Sequence, residues 1–479
     1  MLRQYDVAVI GAGSGGIGAA LAAAREGLAV CLVEKAPVIG GTATRAGVSV
    51  WEPGVGGTGI PLDIYRALRP IPQAVGIYTI GRHCLCPGPG EERYPGGEAV
   101  VDYTRSYVDS LLRHGARSMA EDEAFVREHW HGVGFEPDVY RAVVHALLDE
   151  TGRCDVATDT GLADADMRDG RIAHLRLDGG NALQADVYVD ATGDGLLAMA
   201  CGCGEMMGQE GRDAFGEPGA PEEATDRVNG ITLIYRITPT SQPSVEALPP
   251  DVPKDCWWRA SFPGASVTQY PCGDWNVNVL PTMEGEEFLR LGPEAAYAEC
   301  LRRSIAHWHH SQVNFPEFQR YRRSWIAPAL GVRETRRIVC EKVLTQHDLL
   351  AGLSGQTDDD IVAIADHAMD THGGHGHGCG ELKQPYGIPY RCLLPKRTEN
   401  LLIACRAAGF SSLAASSCRL SRTMMQLGQA AGTAAAIARD RKVSLREVPT
   451  DELRARLVGQ GVELEWPRST AMLKRISEA

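Results

Sequence analysis

Histidines are concentrated in one short segment of the 479-residue sequence, between Asp370 and Gly380, where they are interleaved with glycines. Histidine has an unperturbed pKa of about 6.5 and is the side chain most often used to take a proton from a reacting group. We therefore predict a catalytic base here, with His372 as the first candidate and His375 and His377 as alternatives. The competing interpretation is a surface loop in which these histidines only form hydrogen bonds. We predict no metal site, because the potential ligands lie too close together without a second strand or helix to hold them.

A second stretch contains Arg333, Arg336 and Arg337 together with Glu334. Guanidinium groups bind carboxylates and phosphates in a bidentate geometry. If the stretch is helical, Arg333 shares a face with Arg336 or Arg337, and the pair would clamp an anionic group. We predict catalytic roles for Arg333 and Arg336; the alternative is a solvated face paired with acids.

The elements that would position such side chains begin at the N-terminus. An apolar strand ends on the run G-A-G-S-G-G from Gly11 to Gly16, an alanine-rich helix follows, and a second apolar strand ends at Glu34. Gly11 suits the tight turn, Gly13 lets the backbone approach a pyrophosphate, and Gly16 lets the helix pack on the strand. The helix N-terminus attracts the phosphates, and Glu34 can accept hydrogen bonds from a ribose. These elements in this order predict dinucleotide binding.

A second glycine-rich run extends from Gly54 to Gly59 and matches the same spacing. Pro53 and Pro61 bracket it, and no apolar strand closing on an acid lies about 20 residues beyond it. We interpret this run as a loop that needs close backbone approach to a ligand and not as a second nucleotide site.

The overall composition narrows the class of protein. The sequence has 48 basic and 61 acidic residues, a net charge of −13, which argues against a nucleic-acid or anionic-membrane partner. No apolar stretch reaches the roughly 20 residues of a membrane span, and the N-terminus lacks the pattern of a secretory signal, so we expect a cytoplasmic protein without a membrane anchor. The 14 cysteines form no C-x-x-C pair, which favours reduced thiols.

Three later segments have a recognisable pattern. The segment 186–195 reads D-V-Y-V-D-A-T-G-D-G, the segment 400–406 reads as a strand ending at Arg406, and the segment 426–436 is a helix of small residues. With the N-terminal fingerprint and the Gly-Gly turn at Gly40, these resemble the bacterial FAD-dependent oxidoreductase family related to the fumarate reductase and succinate dehydrogenase flavoproteins. The resemblance implies an α/β fold: a Rossmann-like, three-layer FAD-binding domain of the glutathione-reductase type with an inserted α+β cap or substrate domain.

The resemblance also implies a discontinuous domain organisation and a set of cofactor contacts. Residues 1–50, 135–225 and 376–442 would form the FAD-binding domain, 51–134 and 226–375 the cap, and 443–479 a C-terminal helical tail. The resemblance places Arg406 and Arg419 near the flavin, and the N-terminus of the last long helix against its pyrimidine side. The predicted FAD-binding residues are Gly11, Ala12, Gly13, Ser14, Gly15, Gly16, Glu34, Lys35, Gly41, Thr42, Gly47, Val156, Ala191, Thr192, Gly193, Asp194, Arg406, Arg419, Met424 and Met425.

The expected activity is that of an FAD-dependent oxidoreductase. The sequence has no C-x-x-x-x-C pair after Gly41 and no second well-formed nucleotide fold, so we expect direct hydride exchange between a small polar organic substrate and flavin N5. Oxidation of a C–OH or C–NH group is preferred. The alternatives are reduction of an activated C=C bond, a flavin monooxygenase, and a non-catalytic flavin-binding subunit. The electron acceptor is left open, a covalent flavin link through His or Cys is chemically allowed, and a homo-oligomer is compatible with the sequence.

Overall fold

The computed structural model describes residues 2–81, 96–113, 119–373 and 378–478. In these residues the strands, in chain order, are β1 (Leu2–Ile10), β2 (Val30–Val33), β3 (Val50–Trp51), β4 (Val75–Ile80), β5 (Gly96–Val101), β6 (Gly132–Phe135), β7 (Cys154–Ala157), β8 (Leu162–Arg168), β9 (Arg171–Leu177), β10 (Ala182–Asp190), β11 (Glu205–Met207), β12 (Tyr235–Pro239), β13 (Ala265–Gln269), β14 (Trp275–Val279), β15 (Tyr321–Ile326), β16 (Arg336–Ile338), β17 (Ile361–Ala365), β18 (Met369–Thr371), β19 (Gly378–Gly380), β20 (Tyr386–Pro389) and β21 (Leu401–Ile403).

The α-helices of the same residues are α1 (Ser14–Arg25), α2 (Thr42–Arg45), α3 (Ile60–Leu68), α4 (Met119–His129), α5 (Pro137–Glu150), α6 (Leu196–Ala200), α7 (Arg212–Phe215), α8 (Gly285–Leu291), α9 (Pro293–Asn314), α10 (Gln346–Gly355), α11 (Ser412–Cys418), α12 (Ser421–Arg441), α13 (Thr450–Gly459) and α14 (Thr470–Ser477). None of the described helices is long and apolar enough to cross a membrane.

The first sheet has the order β7-β2-β1-β10-β9-β8, and β21 pairs with the C-terminal part of β10. Strands β1, β2, β7, β10 and β21 are parallel, whereas β8 and β9 form an antiparallel extension. Strands β2 and β21 and the C-terminal half of β1 are continuous, buried apolar runs, as expected where both faces of a parallel sheet are covered. The carboxyl ends of β1, β2 and β10 therefore meet at one edge, which is where ligands bind in such sheets.

Helices α1 and α12 pack backbone to backbone over this sheet. A Cβ added at Gly15 would collide with the carbonyl oxygen of Ala404, and one added at Gly428 would collide with that of Gly15. Both helices are almost entirely buried and rich in alanine and glycine, so the small residues set the separation of their axes. This contact brings the N-terminus of α12 next to the N-terminus of α1.

The second sheet has eight strands in the order β15-β12-β14-β13-β5-β4-β6-β3. It is antiparallel except where β13 runs parallel to β5. Its strands come from two separate stretches, residues 50–135 and 235–326, so the sheet forms by pairing that spans long sequence separations. Helix α9 packs on one face of this sheet, where Trp308 contacts the cluster that contains Tyr235 of β12 and Val277 of β14.

The predicted α/β fold class, with a Rossmann-like parallel sheet and additional antiparallel structure, is confirmed. The predicted N-terminal strand, helix and second strand correspond to β1, α1 and β2. The helical arrangement considered for Arg333, Arg336 and Arg337 is wrong, because residues 336–338 form β16, which pairs antiparallel with β11. The boundaries of the FAD-binding, cap and tail segments stay a prediction.

Candidate active site

A cavity of about 620 Å3 lies between the carboxyl edge of the first sheet and one face of the second sheet. It is lined by these residues of the predicted cofactor set: Gly11, Gly13, Ser14, Gly15, Glu34, Lys35, Gly41, Thr42, Ala191, Thr192, Gly193, Asp194, Arg406, Arg419 and Met424. The catalytic candidates Arg333 and His372 line the same cavity. Residues from widely separated parts of the sequence therefore line one cavity.

The turn after β1 has the backbone that a pyrophosphate requires. Gly11 has a φ of +97°, and a Cβ there would collide with the carbonyl of Ala191. Helix α1 starts after Gly13 without a side-chain cap, so its first N–H groups remain available at the cavity. Unsatisfied N–H groups and the helix dipole bind phosphate at such a terminus.

Glu34 is fixed at the end of β2. Its Oε2 accepts a hydrogen bond from the amide of Ala12 at 2.8 Å, and its Oε1 accepts one from the amide of Ala36 at 2.9 Å. A carboxylate held in this way at the cavity wall retains lone pairs for ribose hydroxyls. Lys35 lies beside it on the cavity lining.

Asp194 and Arg406 form an ion pair at the carboxyl end of β10. Arg406 Nη2 lies 2.6 Å from Asp194 Oδ1, which also accepts a hydrogen bond from Thr335 Oγ1 at 2.6 Å. Burial opposes the charge of Asp194, but Arg406 and Thr335 hold its pKa below the usual value. A Cβ at Gly193 would lie 2.6 Å from the Arg406 guanidinium, so the glycine allows this close packing.

Helix α12 points its N-terminus at the cavity. Leu420 precedes the helix without a side-chain cap, and Met424 lies on the cavity wall. The free N–H groups at this terminus carry partial positive charge and stabilise a negative charge nearby. These donors, the glycine turn and Glu34 suit an extended dinucleotide, and the residues present therefore fit FAD.

Five predicted cofactor residues lie off the cavity lining: Ala12, Gly16, Gly47, Val156 and Met425. Gly16 packs against the carbonyl of Gly11, as its predicted role in helix packing requires. Met425 is fully buried in α12, and Val156 lies half-buried on the edge strand β7, where it pairs with Leu32. These residues support the walls of the site and do not form its surface.

His372 is held by an acid and by the backbone. Its Nε2 lies 2.5 Å from Asp370 Oδ2, and its amide donates to Asn229 Oδ1 at 2.8 Å. Arg419 Nη2 lies 3.3 Å from the same Oδ2 of Asp370. Burial opposes the charge of Asp370, but its contact with His372 and the charge of Arg419 hold its pKa well below its usual range. The carboxylate therefore stays ionised and orients the imidazole.

Arg333 has an unusual environment for an arginine. Its Nη1 donates to the carbonyl of Gly230 at 2.8 Å, and within the described residues it forms no ion pair with a carboxylate. Burial and the nearby Arg419 lower its pKa to about 9. Burial and Arg333 in turn lower the pKa of His372 to about 4. At neutral pH the imidazole is therefore uncharged and able to accept a proton.

The residues Arg333, Asp370, His372 and Arg419 form one corner of the cavity, hereafter the cationic corner. A buried polar network packs behind it. Asn229 donates to Glu334 Oε2 from both its amide and its Nδ2, at 3.0 and 2.9 Å. Arg337, which is fully buried, forms ion pairs with Glu334 and Glu210. The network fixes Asn229, which in turn fixes the backbone of His372. Sequence patterns gave no signal for Asn229, because it lies 143 residues from its partner.

Two predictions at this corner have different outcomes. Arg336 does not line the cavity. It lies on β16, where side chains alternate between the two faces of the strand, and it forms an ion pair with Glu205 at 2.8 Å. His375 and His377 lie outside the described residues. Within those residues no group of three His, Cys, Asp or Glu side chains is placed to hold a metal ion.

The run from Gly54 to Gly59 packs chiefly against the protein itself. A Cβ at Gly56 would collide with the carbonyl of Ile364, and one at Gly54 would collide with the carboxylate of Asp366. Only Gly54 and Val55 of the run line the cavity. The approach of this run to a ligand stays a prediction, and the close contacts seen here are with other parts of the chain.

The FAD dependent oxidoreductase family matches residues 6–457. The chain belongs to this family. FAD is therefore the cofactor of this oxidoreductase, as the sequence predicted. The closer relation to the fumarate reductase flavoproteins stays a prediction.

Curated relatives match this oxidoreductase only over short segments. A 3-oxosteroid 1-dehydrogenase of Mycobacterium tuberculosis is 48% identical over 80 residues, which is 17% of this chain and 13% of that protein. A dihydrolipoyl dehydrogenase of Chlorobaculum parvum is 68% identical over 37 residues, 8% of each chain. The match thus spans about an eighth or less of the length of these relatives.

Among solved structures, a geranylgeranyl bacteriochlorophyll reductase-like protein from Thermoplasma acidophilum is similar, with a TM-score of 0.46 and 13% identity over 100% of this chain and 97% of that one. An L-amino acid deaminase from Proteus myxofaciens has a TM-score of 0.41 and 12% identity over 94% of this chain and 92% of that one.

Proposed function

We propose that this oxidoreductase oxidises a C–OH or C–NH group of a small polar organic substrate, with His372 as the catalytic base. The observation that carries the proposal is the pair of His372 and Asp370 on the wall of the cavity, with the histidine neutral and the aspartate ionised. Oxidation of an alcohol or amine requires removal of a proton from oxygen or nitrogen, and a neutral imidazole is suited to that task.

The hydrogen bond to Asp370 determines which ring nitrogen reacts. Because His372 Nε2 lies 2.5 Å from the carboxylate, its proton resides there, and Nδ1 is left to accept a proton. Within the described residues Nδ1 forms no hydrogen bond with the protein. Asp370 then stabilises the imidazolium that forms, and Arg419 keeps Asp370 ionised.

FAD, when bound, supplies the two-electron acceptor at flavin N5 for the hydride from the substrate carbon. The proton of the substrate O–H or N–H goes to His372 Nδ1, so the substrate loses two electrons and two hydrogens and becomes a carbonyl or an imine. The N-terminal dipole of α12 favours negative charge at its end of the cavity.

Replacement of His372 tests the proposal. We expect His372→Gln to keep its FAD and to lower the rate of anaerobic flavin reduction by roughly 10²- to 10⁴-fold, the usual contribution of a positioned base. The measurement is stopped-flow bleaching of the flavin by a panel of alcohols, amines and hydroxy acids, without NADPH.

A matched control is His347→Gln, because His347 is exposed and its one hydrogen bond within the described residues is to the carbonyl of Gly216. This variant should bleach at the rate of the unmodified enzyme. Equal rates for the His372 and His347 variants would exclude His372 as the base. Bleaching only in the presence of NADPH would instead favour a monooxygenase.

A further inference from the structure

One face of the second sheet presents uncharged polar side chains to the cavity. In the antiparallel pair β13 and β14, Ser266 lies opposite Asn278 and Thr268 lies opposite Asn276. All four line the cavity. The alternate residues, such as Val267, face the other way into the apolar core of this sheet. Hereafter these four side chains are called the polar wall.

Hydrogen-bonding groups of the polar wall are left without protein partners. Ser266 Oγ, Thr268 Oγ1 and Asn278 Nδ2 form no hydrogen bond within the described residues, whereas Asn276 Nδ2 donates to the carbonyl of Gly47 at 2.7 Å. Asn278 is held in orientation because its Oδ1 accepts from Thr232 Oγ1 at 2.7 Å. Unpaired polar groups on a cavity wall are a cost that a matching ligand removes.

The polar wall lies next to the cationic corner of the cavity. Thr232, which orients Asn278, is two residues from Gly230. The carbonyl of Gly230 accepts a hydrogen bond from Arg333, and its amide donates to the carbonyl of His372 at 2.9 Å. Two extended residues span at most about 7 Å, so Thr232 lies close to the backbone that binds Arg333, and the wall and the corner line the same cavity.

The net charge of the cationic corner favours a ligand that carries one negative charge. The leading charged groups that act on His372 are Arg333, Asp370 and Arg419. Asp370 compensates Arg419 through their ion pair, and His372 is neutral, which leaves the charge of Arg333 unbalanced. A single carboxylate balances it and matches the planar guanidinium, whereas a dianionic phosphate would overcompensate.

We infer that the substrate is a polyhydroxylated carboxylate whose carboxyl group binds Arg333 and whose hydroxyl groups bind the polar wall. This inference rests on the proposed function, since one of the hydroxyl-bearing carbons of the substrate is the carbon that is oxidised. A hydrocarbon skeleton in the same place would bury Ser266, Thr268 and Asn278 without hydrogen-bond partners, which disfavours its binding. The structure therefore assigns a sugar-acid-like molecule rather than an apolar one.

The test uses the FAD-loaded enzyme and matched families of small molecules. Aldonic acids of four to six carbons carry both features, the corresponding alditols lack the carboxylate, straight-chain fatty acids of equal length lack the hydroxyls, and alditol phosphates replace the carboxylate by a phosphate. Binding is measured by calorimetry, and oxidation by anaerobic bleaching of the flavin. We expect at least one aldonic acid to bind and to bleach the flavin, and the other three families to bind at least 10-fold more weakly.

Variants locate the two contacts. Arg333→Gln should weaken binding of the aldonic acid by roughly 10- to 100-fold, the loss of a charge-assisted hydrogen bond, and Ser266→Ala by roughly 2- to 10-fold. Arg333→Lys should recover part of the loss, which distinguishes a charge contact from a folding defect. Arg336→Gln is the control, because its pair with Glu205 lies off the cavity.

The outcomes separate this inference from the proposed function. If alditols, fatty acids or alditol phosphates bind and bleach the flavin as well as any aldonic acid, the substrate class is wrong while the dehydrogenase proposal stands. If aldonic acids bind in an Arg333-dependent way without bleaching, the substrate site is supported and the proposed oxidation fails. If no aldonic acid binds, the inference is overturned.

Discussion

At the scale of single residues, the proposed chemistry depends on the electrostatic coupling between Arg333 and His372. Burial and the positive charge of Arg333 together bring the pKa of His372 to about 4. An anion bound to Arg333 would offset that charge, and the imidazole would become a stronger base when the substrate is in place. Arg333, the proposed substrate-binding arginine, would thereby activate the proposed base.

The coupling predicts a pH dependence. A base must be unprotonated, so the second-order rate constant of flavin reduction, which reports the free enzyme, should fall as the pH drops through about 4. Arg333→Gln removes a cation that lowers the pKa of His372, so its acid limb should move to higher pH. Anaerobic reduction is measured across the pH range, with Arg336→Gln as the control. An unchanged limb in the Arg333 variant would contradict the coupling.

Residue types identified part of this corner in advance. His372 and Arg333 were found because few side chains carry out proton transfer or bind anions, and both line the cavity. Arg336 was misplaced because its role assumed a helix where the chain forms a strand. Asn229 and the polar wall gave no signal, because amides and small hydroxyls are common and only tertiary structure brings these ones to the cavity.

At the scale of elements, the contact between α1 and α12 sets the position of both helix N-termini at the cavity. Gly428→Ala would drive a Cβ into the backbone of α1, which cannot move as a flexible side chain would. We expect a loss of at least about 1–3 kcal/mol in the free energy of unfolding, together with a lower FAD content. Urea unfolding and flavin absorbance measure the two effects.

Gly459 provides the matched control. A Cβ there meets nothing within 4 Å, and the residue lies in α13. Gly459→Ala should be neutral or should stabilise the fold by about 0.4–1 kcal/mol through the unfolded chain. Equal stability losses in both variants would show that close packing of the helices is not the cause.

The elements of the first sheet were predictable because their signals are local. Strand, glycine turn, helix and terminal acid follow one another within 34 residues, and each has its own sequence signature. The second sheet was not predictable in detail, because β13 pairs with β5, and β12 with β15, across long sequence separations. The face of a strand that meets the cavity depends on that register.

At the scale of the whole molecule, the C-terminal segment closes over the glycine run of residues 54–59. Glu463 Oε2 accepts from the amide of Gly56 at 3.1 Å, and its own amide donates to Thr58 Oγ1 at 2.8 Å. Arg468 Nε lies 2.5 Å from Glu463 Oε1. The tail, which the sequence presented only as helical, therefore packs against the glycine run beside the cavity.

Removal of one partner of this buried pair should destabilise the protein. Arg468→Met leaves Glu463 charged, almost fully buried and without its guanidinium, at a cost of about 3–5 kcal/mol at neutral pH. Burial already raises the pKa of Glu463, and loss of Arg468 raises it further. The folded state then binds a proton more readily than the unfolded state, so the penalty should shrink as the pH falls through the folded-state pKa.

The measurement is urea unfolding of the variant at several pH values. The control is Arg441→Met, whose ion pair with Glu452 is largely exposed and should be worth no more than about 1 kcal/mol. Glu463→Gln in the Arg468→Met background removes the stranded charge and should recover part of the stability at neutral pH. A penalty that does not depend on pH, or that the second substitution does not relieve, would mean that packing rather than the buried charge holds the C-terminal segment on the glycine run.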